Sequence, residues 1–148
     1  MCMEFALKCS CGSSQASFHF QDNLMPPEVI TGLYCPTCSD KKNFDAERMV
    51  RDNGWMIEYD MEVAKFSAHK LPHGALAKLS PETLFDAGFA TWRGVYPGDH
   101  IDSAVEREEI IKLARIDPKA YMTKMRDWAN GRMNRLKSEG WRKAQDAA

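Results

Sequence analysis

Four cysteines constrain this chain more than any other feature. Cys9 and Cys11 are separated by one residue, 23 residues follow, and Cys35 and Cys38 are separated by two. A short spacing on a tight turn brings both sulfurs of a pair to one point, so two such turns supply four donors. A divalent zinc ion takes four thiolates in a tetrahedron, each about 2.3 Å away. The fifth cysteine, Cys2, also lies in the first 40 residues, and the remaining 108 contain none. The chain shows no export signal, so the expected compartment is the cytoplasm, where close cysteine pairs serve as metal ligands or redox catalysts more often than as disulfides. Four protein ligands leave no open position on the ion, which favours a structural role over metal catalysis.

The cysteine segment predicts strands at Glu4–Lys8, Gln15–Gln21 and Val29–Tyr34, the last delivering Cys35-Pro36-Thr37-Cys38. Pro26-Pro27 interrupts the ladder because proline lacks an N–H to donate. So few large apolar side chains in about 40 residues bury little surface, so metal binding is expected to supply much of the folding free energy.

On Cys9, Cys11, Gly12, Cys35, Pro36 and Cys38, residues 5–42 resemble the zinc-ribbon and rubredoxin-like knuckle family. The resemblance implies a four-cysteine zinc ribbon, with Cys9, Cys11, Cys35 and Cys38 as ligands. Such modules serve nucleic-acid machinery and protein interaction. Two departures stand out: Ser39 replaces the knuckle glycine after Cys38, and the first knuckle is shortened to Cys-x-Cys. The same four sulfurs also suit a rubredoxin-like iron site for electron transfer. Cys35-Pro36-Thr37-Cys38 further resembles the active site of glutaredoxin-like oxidoreductases, with Cys35 as nucleophile and Cys38 as resolving thiol. That reading requires a βαβ unit around the motif.

Beyond residue 42 the chain predicts an α+β to mostly helical domain over 43–148, so the fold class is α+β: an N-terminal ribbon, a mixed middle and a C-terminal helical pair. Residues 45–53 suit a short helix stopped by Gly54, and residues 55–60 a strand. Ser80-Pro81-Glu82 opens a helix that Gly88 stops, and residues 89–96 suit a strand or an aromatic loop. Residues 61–79 take no assignment. Ser103-x-x-Glu106 reads as a capping box for a helix to about Ile116, and Asp117-Pro118 caps the next. Tyr121, Met122, Met125, Trp128, Ala129, Met133 and Leu136 recur at helical spacing along it.

Charge narrows the partners. Net charge is -1 overall, yet residues 117–148 carry 8 bases against 4 acids. Lys124, Arg135 and Arg142 flank one side of the apolar stripe; Lys119, Arg126 and Lys137 flank the other. Arg132 falls within the stripe, a sign of a solvated end or a contacted acid. Arg132, Arg135 and Arg142 are the candidate nucleic-acid contacts, although a solvated helix face accounts for most such patterns. The methionines fit a core or an adaptable partner surface. His69, His73 and His100, with Asp99 and Asp102, raise a second site, but Pro72 interrupts the helical pair and no third ligand is identified. No membrane-length apolar run, phosphate loop, nucleophile elbow or H-E-x-x-H helix occurs. A non-enzymatic macromolecule-binding protein, with protein or nucleic acid as partner and no membrane, is the expectation.

Overall fold

A computed structural model describes residues 3–70 and 79–145. Cys2, Pro72 and His73 lie outside the described residues. The fold is α+β, with two antiparallel sheets, and the chain divides into two compact units, Met1–Arg93 and Gly94–Ala148.

The first unit carries both sheets. Strands β1 (Met3–Lys8), β2 (Gln15–Phe20) and β6 (Thr91–Trp92) form one, in the order β1-β2-β6. Strands β3 (Ile30–Tyr34), β4 (Met49–Asp52) and β5 (Trp55–Tyr59) form the other, in the order β3-β5-β4. The segment up to residue 42, read from the sequence as a module of its own, therefore contributes β3 to a sheet completed by residues 49–59. Its strands β2 and β3 lie in different sheets and pair with other partners.

Alternation explains β2, where Ala16, Phe18 and Phe20 are buried on one face. Phe18 faces Trp92 in register and stacks on it with centroids 5.4 Å apart. The two sheets share one core, which includes Phe18, Leu33, Ile57, Tyr59, Phe85 and Trp92. Buried polar bonds also join residues of the two sheets. Trp92 Nε1 donates to Asp52 Oδ2 at 2.7 Å, and Tyr59 Oη donates to the Ala90 carbonyl at 2.6 Å. Both join buried groups, so each satisfies a polar atom that burial would otherwise penalise.

The helix expected over 45–53 is instead a turn followed by β4. The Asp45 carbonyl accepts N–H bonds from Arg48 and Met49, a single helical turn that goes no further. Asn53-Gly54 then forms a two-residue hairpin turn, with φ of 49° and 92°. Left-handed conformation at both central residues matches the twist of the flanking strands, and Asn-Gly is its preferred sequence. Gly54 thus closes a hairpin rather than a helix.

The described residues of the unit also include three α-helices: α1 (Pro36–Ser39), α2 (Met61–Ser67) and α3 (Pro81–Asp86). Helix α2 occupies part of the stretch left unassigned, capped by Asp60, whose side chain accepts from Glu62 and Val63 N–H. Ser80 caps α3 through the Thr83 N–H, as the sequence indicates. Between Phe89 and Tyr96 the strand shrinks to Thr91–Trp92.

The second unit is helical: α4 (Asp99–Ile111), α5 (Pro118–Glu139) and α6 (Arg142–Gln145). Helix α4 begins one turn before the expected Ser103 cap and ends before Ile116. Gly98, at φ 87°, is its N-cap residue, and Ser103 Oγ donates back to the Asp99 carbonyl at 2.6 Å. Asp117 caps α5 through the Ala120 N–H, and Gly140 terminates it in the left-handed conformation. No helix among the described residues is long and apolar enough to cross a membrane.

Candidate metal centre

Both cysteine pairs sit where a strand ends, one on each sheet. The first occupies the loop between β1 and β2, closed by Cys9 N–H donating to the Ser14 carbonyl at 2.8 Å. Within it, Gly12 N–H donates to the Cys9 carbonyl at 2.8 Å with φ of 76°, a conformation that favours glycine. The second follows β3. Pro36 starts α1, its fixed φ suited to a first helical position, and Ser39 N–H reaches the Cys35 carbonyl at 2.8 Å. Cys35 and Cys38, three residues apart around this turn, share a side.

Bonds between the two loops fix their approach. Ser10 N–H donates to the Leu33 carbonyl at 3.2 Å, and Cys35 N–H donates to Cys9 Sγ at 3.1 Å. As a result the four cysteines cluster, with every ligand atom within 4.8 Å of every other. Cys11 Sγ and Cys35 Sγ lie 3.9 Å apart. A tetrahedron with metal–sulfur bonds of about 2.3 Å has sulfurs roughly 3.8 Å apart, so the donors fit such an ion. All four are free cysteines, and 3.9 Å far exceeds the about 2.05 Å of a disulfide. Cys9 and Cys35 are buried, Cys38 half-buried and Cys11 exposed.

Local hydrogen bonds polarise the sulfurs differently. Cys11 is held down at about 6, first by the Ser13 hydroxyl 2.9 Å away and then by the Ser13 backbone. Burial pushes the Cys9 thiol up, but the N–H groups of Cys11 and Cys35 together with the Cys38 and Cys35 side chains outweigh it and leave the pKa lowered. Cys38 is pushed up to about 11, chiefly by its hydrogen bond with Cys9. A cation would favour the thiolate form at all four, because its charge replaces the proton.

Ser39, the departure from the knuckle glycine, has a definite place. It is buried, and its hydroxyl lies 2.6 Å from the Gly54 carbonyl and 3.1 Å from the Pro36 carbonyl. The β4–β5 turn thereby braces the turn that carries Cys35 and Cys38. Gly54 is also constrained sterically, since a Cβ there would meet Pro36 Cβ at 3.3 Å. Neither link is evident from local spacing, because 15 residues separate Ser39 from Gly54.

The geometry around Cys35 differs from that of a glutaredoxin-like site. Helix α1 has four residues, β3 runs antiparallel to its neighbour β5, and Cys35 is surrounded by Cys9, Cys11 and Cys38. No βαβ unit surrounds the motif among the described residues.

The remaining candidates do not join a second cluster. Cys9, Cys11, Cys35 and Cys38 are the only group of three or more such residues among the described residues placed closely enough to hold a metal ion, and His69 and His100 belong to none. His69 Nδ1 bonds the Phe66 carbonyl at 3.0 Å. Asp99 is buried, paired with Arg132 and accepting the Val95 N–H at 2.7 Å, while Asp102 accepts from Tyr96 Oη at 3.0 Å. Arg132 is thus the contacted-acid case: its side chain is 14% exposed and directed at Asp99 rather than outward. Arg135 is about half exposed, 3.9 Å from Glu139, and Arg142 opens α6. Sequence spacing found the four sulfurs; it missed the Asp99–Arg132 pair, whose partners are 33 residues apart.

Compared with known proteins, the chain matches no family model, no curated protein and no solved structure.

Proposed function

We propose that this is a non-enzymatic zinc protein in which Cys9, Cys11, Cys35 and Cys38 hold one structural zinc ion. The ion's role is to pin the β1–β2 loop of one sheet to the end of β3 in the other. The convergence of four unbridged sulfurs within 4.8 Å carries this reading. With four protein donors the ion keeps no position for substrate, which argues for structure over chemistry. The braced loops then present a fixed surface for a macromolecular partner, protein or nucleic acid, the use to which zinc-ribbon modules are put.

Elemental analysis of chain purified without chelator, combined with its visible spectrum, tests the reading. One zinc per chain and no colour is the expected result. Thiolate-to-iron absorption with stoichiometric iron would replace it with a rubredoxin-like electron carrier, and metal-free protein would remove both.

A further inference from the structure

The helical unit leaves apolar side chains uncovered. Asp99 is the single buried residue of α4, and Leu136 of α5, although α5 is 22 residues long. Ile101 is 60% exposed, Val105 62% and Met122 69%. Helices draw most of their stability from packing an amphipathic face, so faces this bare call for a cover.

The charges around them say what covers them. Helix α4 carries five acids and one base; α5 carries six bases and two acids. On α4, Val105 has Ile101 four residues before it and Glu108 and Glu109 three and four after, all on one face. On α5, Met122 has Lys119 three residues before it and Arg126 four after, again on one face. All four of these charged residues are exposed. Glu109 has a local partner in Lys112 at 3.0 Å, a pair in which both side chains remain largely in solvent. Lys119 and Arg126 form no ion pair among the described residues. One face has an apolar centre with two acids a turn beyond it, the other an apolar centre with a base a turn to either side, so the two faces are of opposite charge.

We infer that a second copy of this chain docks here, the Met122 face of α5 in one copy packing on the Val105 face of α4 in the next. Each copy offers both halves, so every chain is donor and acceptor of the same contact. Val105 and Met122 meet at the centre, where burial drives association, while the flanking charges select orientation and partner. Arg132 takes no part, being already engaged by Asp99.

Light scattering on the metal-replete full chain tests this. The apparent mass is expected to rise above 16.8 kDa with concentration and to fall back as salt is added. A chain carrying Glu108→Lys and Glu109→Lys has two basic faces, and one carrying Lys119→Glu and Arg126→Glu has two acidic faces. Each alone is expected to stay at the monomer mass with unchanged helical circular dichroism, and mixing the two to restore association. A wild-type chain that stays monomeric throughout overturns the inference and points to a foreign partner for these faces. Association that survives both reversals, or reversed chains that fail to pair on mixing, overturns it equally. Metal content plays no part in these readouts, so failure here is distinct from failure of the zinc reading.

Discussion

Trp92 Nε1 donates to Asp52 Oδ2 at 2.7 Å, joining the last strand of one sheet to the end of β4 in the other. Both residues are at most 2% exposed. The bond lies in the same two-sheet unit whose loops carry the cysteine pairs, so it helps fix the frame that brings them together. Replacing Trp92 by Phe removes the donor but keeps an aromatic ring against Phe18. A loss of at least about 1–3 kcal/mol is expected, from a buried carboxylate deprived of one donor and from the core volume the smaller ring leaves unfilled, measured by urea denaturation of the metal-loaded chain. An unchanged midpoint would show that the carboxylate is satisfied by its other contacts.

Single Cys→Ser changes at Cys9, Cys11, Cys35 or Cys38 are each expected to abolish stoichiometric zinc. Apparent binding free energies of structural zinc sites are on the order of 10 kcal/mol or more, comparable to the whole stability of a domain. The cysteine loops should therefore lose order, seen as lost amide protection in residues 9–14 and 35–39. A variant at any of the four positions that keeps one zinc per chain would remove that residue from the ligand set.

Ser39→Ala deletes the hydroxyl that reaches Gly54 and Pro36. A cost of about 1–2 kcal/mol and faster zinc loss to a chelator are expected, since a buried carbonyl loses its donor. Ser39→Gly, the residue usual in zinc-ribbon knuckles, should behave no better, because here the side chain rather than the turn is what matters. A stable Ser39→Gly protein would contradict that account.

Arg132→Ala leaves the Asp99 carboxylate buried without its cation and is expected to cost about 3–5 kcal/mol. The pair sits in the helical unit, so loss of far-ultraviolet helical signal should precede any loss of zinc. A substitution of similar length without charge, Arg132→Met, should destabilise in the same direction. A stability change within experimental error would show that Asp99 is held well enough by the Val95 N–H alone.

Tyr96 is pushed up to about 12, first by burial, then by the Asp102 carboxylate that its hydroxyl bonds. A group whose pKa rises on folding holds its proton longer in the folded state than in the unfolded one. Its contribution is therefore complete below about pH 10, the ordinary tyrosine value, and lost as pH rises towards about 12. Ultraviolet titration of Tyr96→Phe should lose a late-ionising tyrosine that the parent chain shows, and Asp102→Asn should move that ionisation towards the ordinary value while leaving the burial effect. Ionisation of Tyr96 at the ordinary tyrosine value would refute this assignment.

The residues by themselves determined the two close cysteine pairs that cluster, the first three strands, the Ser80 and Asp117 caps and the helical period of α5. Each is a local signal: a spacing, an alternation, a cap or a repeat within a few residues. Other outcomes were decided only by tertiary structure. Asp45–Asn53 became turn and strand because Met49, Val50 and Asp52 pair with β5 and are buried there. Asn53-Gly54 is a hairpin signal whose glycine serves equally well as a helix stop, and only the pairing partner chooses between the two. Strands β2 and β3 parted into two sheets because β2, paired with β1 on one edge, takes β6 on the other, while β3 pairs with β5, and both β6 and β5 lie later in the chain. Met122 stayed bare on the α5 stripe for the same reason: helical period shows which residues share a face, while what covers that face depends on elements far away in sequence or in another molecule.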